Sequence, residues 1–192
     1  GMGQYIKPFL TAWLSGNFRQ AENALKPVAE ITSLRSLYQL QLALLGDFFG
    51  KPEKADAAYL QAANTYPAYH VVELAISHFL RRNMPRKVTA LLTAARDGTI
   101  DDNLLDSLSR TTATKSVVSI SDGLAEVFYG LSILLQAEGA SDVALPYLRV
   151  ALALRPEFPV AQILVGDLLV RSARYQEAGQ LFSAVKTDRS WG

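Results

Sequence analysis

The sequence contains no cysteine, and this absence excludes several kinds of chemistry together. Disulfide bonds, thiolate metal sites and a cysteine nucleophile all require a thiol. The absence says nothing about the compartment, because reducing and oxidising locations both tolerate proteins without cysteine. Only two histidines, His70 and His78, are present, so few residues remain for a catalytic or metal-binding site.

Excess charge and long apolar runs are also lacking. The 19 basic and 18 acidic residues give a formal net charge of +1, which creates no field that would gather nucleic acid or an anionic membrane. No apolar run reaches the roughly 20 residues that cross a bilayer. We therefore expect neither a nucleic-acid partner nor a membrane span. The first residues have no basic segment followed by an apolar one, so we expect a cytoplasmic location, or a periplasmic one if a signal segment has been removed.

Apolar residues, which make up 49% of the 192 positions, recur at helical spacing almost throughout. Short breaks such as Gly50-Lys51-Pro52 and Asn83-Met84-Pro85 would force consecutive helices to lie antiparallel. Pro52 and Pro85 fit a first helical turn. The pattern predicts an all-α protein with helices near residues 4–15, 18–30, 33–49, 52–65, 69–82, 85–96, 101–110, 122–138, 142–154, 157–172 and 175–187.

A repeat with a period of 34 residues is visible near the end of the chain, where residues 125–158 align with residues 159–192. Leu131 then lies over Val165, and Ser132 over Gly166. This pattern resembles the tetratricopeptide repeat family. Its eight characteristic positions are filled in the first copy by Phe128, Leu131, Ser132, Leu135, Ala144, Leu148, Ala151 and Pro156. The resemblance implies an α-solenoid of antiparallel helical hairpins, in which small residues let neighbouring helices approach closely.

Weaker copies of the pattern occur earlier in the chain. The second half of the motif is matched by Gly50, Ala55, Tyr59, Ala62 and Pro67, and fainter matches are Gly16, Phe18, Ala21 and Leu25, and Val88, Leu92 and Ala95. We therefore expect degenerate helical-hairpin repeats over residues 1–110, a connector over 111–124 and two tandem tetratricopeptide repeats over 125–192. These parts would form one continuous solenoid.

The connector follows a short helix with Asp101 and Asp102 at its N-terminal end, and it is rich in threonine and serine. Its apolar residues are Val117, Val118 and Ile120. The favoured interpretation is a segment packed across the solenoid by these three residues. The alternative is a strand-like flap over the concave groove, since a loop of this length in a compact domain is often functional.

Catalytic motifs are scarce. The sequence has no glycine-rich phosphate loop, nucleophile elbow or HExxH motif. Glu73 lies one helical turn from His70, but no third metal ligand is apparent, and we expect these histidines to be solvated or locally bonded. The basic run Arg81–Lys87 falls at a helix end and turn, where we expect it to be solvated. We therefore expect no enzyme activity, no catalytic residue, no bound metal and no cofactor.

The resemblance also implies a binding surface, since in this family the first helix of each hairpin lines a concave groove. The groove positions here are Glu126, Tyr129, Ile133, Gln136, Val160, Ile163, Asp167 and Val170. Family members that clamp a chaperone's carboxylate tail have Lys and Asn at two of these positions, where this chain has Tyr129 and Ile133, so a clamp of that kind is disfavoured. The mostly apolar face suits an amphipathic helix or an extended apolar peptide. Alternatively, another part of the same protein covers it.

These observations favour a noncatalytic protein–protein interaction scaffold that binds a peptide or helix of unknown identity. The alternative is a set of structural spacer repeats within a larger bacterial protein. The final helix offers Leu181, Phe182 and Val185, and no polar capping helix follows. We therefore expect the chain to be a fragment whose last apolar face is covered by a second copy through a two-fold contact.

Overall fold

The computed structural model describes residues 3–98, 100–171 and 175–186, although not every side chain of the last helix. These residues form α-helices and contain no β-strand, so the predicted all-α class is confirmed. A short 3₁₀ turn, Thr32–Leu34, precedes the third helix. The helices are α1 Gly3–Trp13, α2 Phe18–Ala29, α3 Arg35–Phe48, α4 Pro52–Thr65, α5 Tyr69–Arg81, α6 Pro85–Asp97, α7 Asp102–Ser109, α8 Ile120–Ala137, α9 Ser141–Leu154, α10 Pro159–Arg171 and α11 Tyr175–Lys186.

The chain divides into two compact units, Gly1–Gly123 and Leu124–Gly192. In the first unit, each helix from α1 to α6 packs against the next helix along the chain. In the second unit, α10 packs against both α9 and α11. Stacked helical hairpins are held together by contacts of this nearest-neighbour kind, and within each unit they confirm the predicted solenoid class.

Prolines and side-chain caps begin several of the helices. Pro52 and Pro85 occupy the first turns of α4 and α6, where a missing backbone N–H costs nothing. Asp101 caps α7 by accepting a hydrogen bond from the Leu104 amide at 3.0 Å, and Asn17 caps α2 in the same way. None of the described helices is long and apolar enough to cross a membrane.

Three hairpin turns share one backbone geometry, which makes the α3–α4, α5–α6 and α8–α9 hairpins equivalent. Each turn contains one residue with a left-handed φ: Gly50 at 67°, Asn83 at 54° and Gly139 at 79°. The next residue donates its amide to a carbonyl in the last turn of the preceding helix: Lys51 to Gly46 at 2.7 Å, Met84 to Phe79 at 2.9 Å and Ala140 to Leu135 at 2.8 Å. This is the Schellman arrangement that ends many helices.

The ends of α4 and α9 extend this equivalence. The backbone angles of Tyr66, φ −146° and ψ 88°, nearly equal those of Arg155, φ −142° and ψ 88°. Each of these residues directly precedes a proline, which disfavours the helical conformation for the residue before it. The second half of the predicted repeat therefore corresponds to a repeated backbone structure in both units.

Two glycines allow close packing in the first unit. A Cβ atom at Gly46 would lie 3.1 Å from the Ala55 amide nitrogen and 3.3 Å from the Ala55 Cα. A Cβ atom at Gly123 would lie 2.3 Å from ring atoms of Trp13. That ring is fully buried and donates a 2.7 Å hydrogen bond to Gln41 Oε1. Neither position has room for a larger side chain while its neighbours stay in place.

Replacing Gly46 by leucine should destabilise the first unit by about 1–3 kcal/mol or more, because the added side chain meets backbone that cannot move aside. The matched control is Gly179→Leu in α11, where, among the described residues and apart from the backbone of α11 itself, no atom lies within 4 Å of the added Cβ. Urea unfolding would measure both changes. Equal stability of the two variants would show that the α3–α4 contact is looser than described.

The left-handed residue Asn83 gives a second prediction. Asn83→Ala should cost about 1 kcal/mol, since alanine lacks the local hydrogen bonding that lets asparagine adopt this conformation. Asn83→Gly should cost nothing or stabilise slightly. Thermal unfolding of the two variants against the parent would test this order, and an alanine variant at least as stable as the glycine variant would contradict it.

Candidate interaction site

Five polar side chains from α3, α4 and the C-terminal end of α5, including the residue that follows it, meet at one end of these helices in the first unit. We call this group the charged cluster; its members are Asp47, Asp56, His78, Arg81 and Arg82. The helices are the two halves of one hairpin and the first half of the next. The cluster therefore joins two consecutive hairpins through charged groups.

Both aspartates of the charged cluster are held by paired hydrogen bonds. Arg81 donates from Nη1 and Nη2 to the two carboxylate oxygens of Asp47, at 3.0 and 2.6 Å. Arg82 donates from Nε and Nη2 to those of Asp56, at 3.2 and 3.1 Å. His78 is 1% exposed; its Nε2 lies 2.7 Å from Asp56 Oδ1 and its Nδ1 3.8 Å from Asp47 Oδ1. Bidentate arginine pairs fix both the distance and the orientation of the helices that carry them.

These contacts shift the pKa values of the acidic groups. Burial raises the pKa of Asp47, but the nearby His78 ring and the hydrogen bonds and positive charge of Arg81 outweigh burial and hold that pKa well below its usual range. Burial also raises the pKa of Asp56, but hydrogen bonds from Arg82 and His78 outweigh burial and lower that pKa. Both carboxyl groups therefore stay ionised at neutral pH and in mild acid.

The expectation that the basic run Arg81–Lys87 is a solvated turn is wrong for its first two residues. Arg81 and Arg82 pair with aspartates that lie far away in the sequence, and only about a quarter of each side chain is exposed. Arg86 is exposed, as expected. Lys87 places its ammonium group 5.6 Å from the centre of the Phe79 ring. The run thus serves mainly to join helices.

The two histidines are buried rather than solvated. His70 is 8% exposed, and its Nδ1 lies 3.8 Å from Glu73 Oε2. Over the described residues, no group of three or more histidine and acidic side chains is arranged to hold a metal ion. A cavity beside Asp47 and Arg81 measures about 10 Å³, which is enough for roughly one water molecule. A substrate would not fit there.

The predicted connector lies against the first unit. We call residues 111–119 the strap; they form neither helix nor strand, so the flap alternative is wrong in its strand-like form. Ser77 Oγ donates to the Thr114 carbonyl at 2.6 Å, and Lys115 Nζ donates to the Asp47 carbonyl at 3.1 Å. Of the predicted apolar contacts, Val117 is 3% exposed, whereas Val118 is 68% exposed. Ile120, which begins α8, is 40% exposed, so only one of the three residues packs as expected.

The groove positions predicted on α8 lie at different depths. Glu126 is completely buried, and its Oε1 accepts a 3.2 Å hydrogen bond from Arg155 Nη1. The ring centres of Tyr129 and Phe158 are 5.3 Å apart. The Arg155 guanidinium carbon lies over the Phe158 ring, 4.5 Å from its centre. Ile133 and Gln136 are half-buried. In the second unit, Glu126 therefore fastens the α9–α10 turn to α8.

The groove positions predicted on α10 are more accessible. Ile163 is 43% exposed and Val170 is 41% exposed, and Asp167 between them is also exposed. Val160 is half-buried. Residues spaced three or four apart share one face of a helix. This face of α10 therefore presents two large apolar side chains beside one carboxylate.

The predicted contact with a second copy falls mostly outside the described residues. The side chains of Phe182 and Val185 belong to the undescribed part, and Leu181 is half-buried. That contact stays a prediction.

Comparison with known proteins gives weak structural likeness only. No family model matches the sequence, and no curated protein matches it. A crystal structure of MamA protein is similar with a TM-score of 0.41 and 16% identity, covering 96% of this chain and 89% of that one. PilF of Pseudomonas aeruginosa is similar with a TM-score of 0.41 and 19% identity, covering 99% of this chain and 77% of that one. Likeness at this level carries no argument about function.

The lowered pKa values of Asp47 and Asp56 predict acid sensitivity of the first unit. Each ionised carboxylate contributes stability above its unfolded pKa of about 3.9, and this contribution is lost as pH falls toward the lower folded pKa. The free energy of unfolding can be measured at several pH values between neutral and about pH 2, with the fluorescence of Trp13 as the signal in a Trp191→Phe background. It should decrease as the pH is lowered below about 4. An Asp47→Asn variant should be less stable at neutral pH and lose less stability in acid. The same pH dependence in that variant would contradict the assignment.

Proposed function

We propose that this chain is a noncatalytic protein-binding module of the tetratricopeptide-like kind, which binds a peptide or helix of a partner protein. The observation that carries the proposal is the exposed apolar pair Ile163 and Val170 on the first helix of a hairpin. An amphipathic helix or an extended apolar peptide buries side chains against a surface of this composition. The repeated hairpin turns agree with such a module, because stacked repeats present one face of each first helix in series.

The bound partner would contact α10 through Val160, Ile163, Asp167 and Val170. The carboxylate of Asp167 lies among the apolar positions, so a partner with a basic side chain beside its apolar ones would complement this face. On α8, Tyr129, Ile133 and Gln136 are the accessible candidates. Glu126 would take part only indirectly, by holding Arg155 and thereby the turn that precedes α10.

The described polar clusters support a noncatalytic role. Arginine pairs occupy the carboxylates of the charged cluster, and the adjacent cavity has the size of a water molecule. A reaction requires an accessible group placed against a bound substrate. Under this proposal, the charged cluster has a structural role.

The alternative function, spacer repeats within a larger protein, is favoured by one observation in the first unit. There the strap already covers the first-helix face around Ser77 and Asp47. Repeats whose first-helix faces are permanently covered would space other domains without binding a partner.

Peptides selected on the immobilised parent chain from a random-peptide library would test the proposed function. A double variant, Ile163→Asp with Val170→Asp, should weaken the binding of selected peptides by at least about tenfold, which corresponds to about 1.4 kcal/mol. Its stability should stay close to that of the parent, because exposed substitutions usually change it by no more than about 0.5 kcal/mol.

The matched control is Val143→Asp on α9, where the replaced side chain is 49% exposed but lies on the second helix of its hairpin. This variant should bind the selected peptides as the parent does. Equal loss of binding in the control and the double variant, or retained binding in both, would remove the α10 face from the proposal.

A further inference from the structure

The strap occupies the first-helix face of two consecutive hairpins in the first unit. The small cavity beneath it is enclosed by strap residues Ser116 and Val117 and by helix residues that include Leu44, Asp47, Leu74 and Ser77. We call these four helix residues, from α3 and α5, the strap site. An irregular segment of this chain therefore covers this face of α3 and α5.

We propose that the strap is a displaceable intramolecular ligand, and that the strap site binds in its place an extended partner segment with a lysine followed two positions later by a β-branched apolar residue. This inference rests on the proposed function, since it takes the chain to be a protein-binding module. It concerns the first unit, whereas the α10 face belongs to the second.

The lysine requirement follows from the end of α3. Lys115 donates from Nζ to the carbonyl of Asp47, in the last turn of that helix. Terminal helix carbonyls carry partial negative charge and favour a cation. The Asp47 carboxylate is held by Arg81, so the backbone carbonyl is the acceptor that remains for an incoming ammonium group.

The apolar requirement follows from Val117. Lys115 reaches the Asp47 carbonyl and Val117 is buried, so both side chains face the helices although the backbone bends at Ser116 between them. Leu44 and Leu74 supply the apolar part of the strap site, and Val117 is 3% exposed. Ser77 binds the backbone carbonyl of Thr114, a contact that any extended peptide can make.

The strap is anchored to a helix at each end and makes few contacts between these two points. At one end, the Thr111 amide donates to the Leu108 carbonyl at the end of α7. At the other, the amides of Val118 and Ser119 both donate to Asp122 Oδ2 at 3.0 Å, and the Asp122 amide donates in return to Ser119 Oγ at 3.1 Å, which forms a capping box at the start of α8. Between these points the strap has one fully covered apolar side chain, Val117, and the hydrogen bonds from Ser77 and Lys115. Segments with few buried contacts open locally at less cost than whole-unit unfolding.

The strap is covalently joined to α7 and α8, so even a weak contact between the strap and the strap site would block a partner. A segment joined to its site by a short chain has an effective concentration of about millimolar. A free peptide of equal intrinsic affinity must exceed that concentration to replace it. A partner with further contacts elsewhere on the chain would displace the strap more readily.

The test uses the full chain and a fluorescent peptide with the sequence of residues 111–120. An opened variant, Lys115→Ala with Val117→Ser, should keep its helical circular dichroism and bind the peptide saturably in an anisotropy titration. The parent should bind it at least about tenfold more weakly, because its own strap competes. A peptide with Glu in place of Lys115, and another with Asp in place of Val117, should bind the opened variant at least about tenfold more weakly than the original peptide.

Matched controls separate displacement from damage. Val118→Ser alters the neighbouring exposed valine and should leave the chain as closed to the peptide as the parent. If the opened variant loses helical signal, the single variant Lys115→Ala, which keeps the buried valine, replaces it in the titration. The α10 double variant, combined with the opened strap, should bind the peptide unchanged, so this result is independent of the α10 test.

Three outcomes would overturn the inference. The first is the absence of saturable binding to a folded opened chain. The second is equal binding by the Val118→Ser variant and the opened variant. The third is equal affinity of the opened variant for the original peptide and for the peptide with Glu in place of Lys115.

Discussion

The bidentate pair between Asp47 and Arg81 ties the end of α3 to the end of α5, and much of the first unit depends on it. An aspartate in the last turn of a helix is unfavourable by itself, because the helix dipole already places negative charge there. Arg81 on the carboxylate and Lys115 on the backbone carbonyl of the same residue offset this cost. The same aspartate thus joins two hairpins and receives the strap.

A charged connection of this kind specifies geometry more than it adds stability. Partly buried ion pairs recover little more than the cost of removing two charges from water, but a bidentate pair accepts only a narrow range of distances and angles. The Asp47–Arg81 and Asp56–Arg82 pairs act between α3, α4 and α5, which also pack through apolar side chains that tolerate small shifts. The surface beneath the strap can therefore be formed before any segment binds to it.

The sequence predicts the helices well, because local signals fix them. Prolines at first turns, Asp101 as an N-cap and the glycines of the hairpin turns all act within a few residues. The breaks Gly50-Lys51-Pro52 and Asn83-Met84-Pro85 were both predicted, and in each the left-handed residue, Gly50 or Asn83, lies two positions before the proline. Because the α5–α6 turn has the same geometry as the α3–α4 turn, the faint match of Val88, Leu92 and Ala95 to the repeat pattern has a structural basis.

The charged cluster was not predictable by the same means, since its partners are 22 to 34 residues apart in the sequence. A basic run at a helix end has the same appearance whether it is solvated or paired, and only the packing of α5 against α4 brings the aspartates near. Glu126 illustrates the same limit on α8. Its position on the helix follows from the repeat, but its burial depends on Arg155, 29 residues later, whose guanidinium also covers Phe158. Helical periodicity assigns a residue to a face; the long-range partners of that residue decide whether the face is available to another protein.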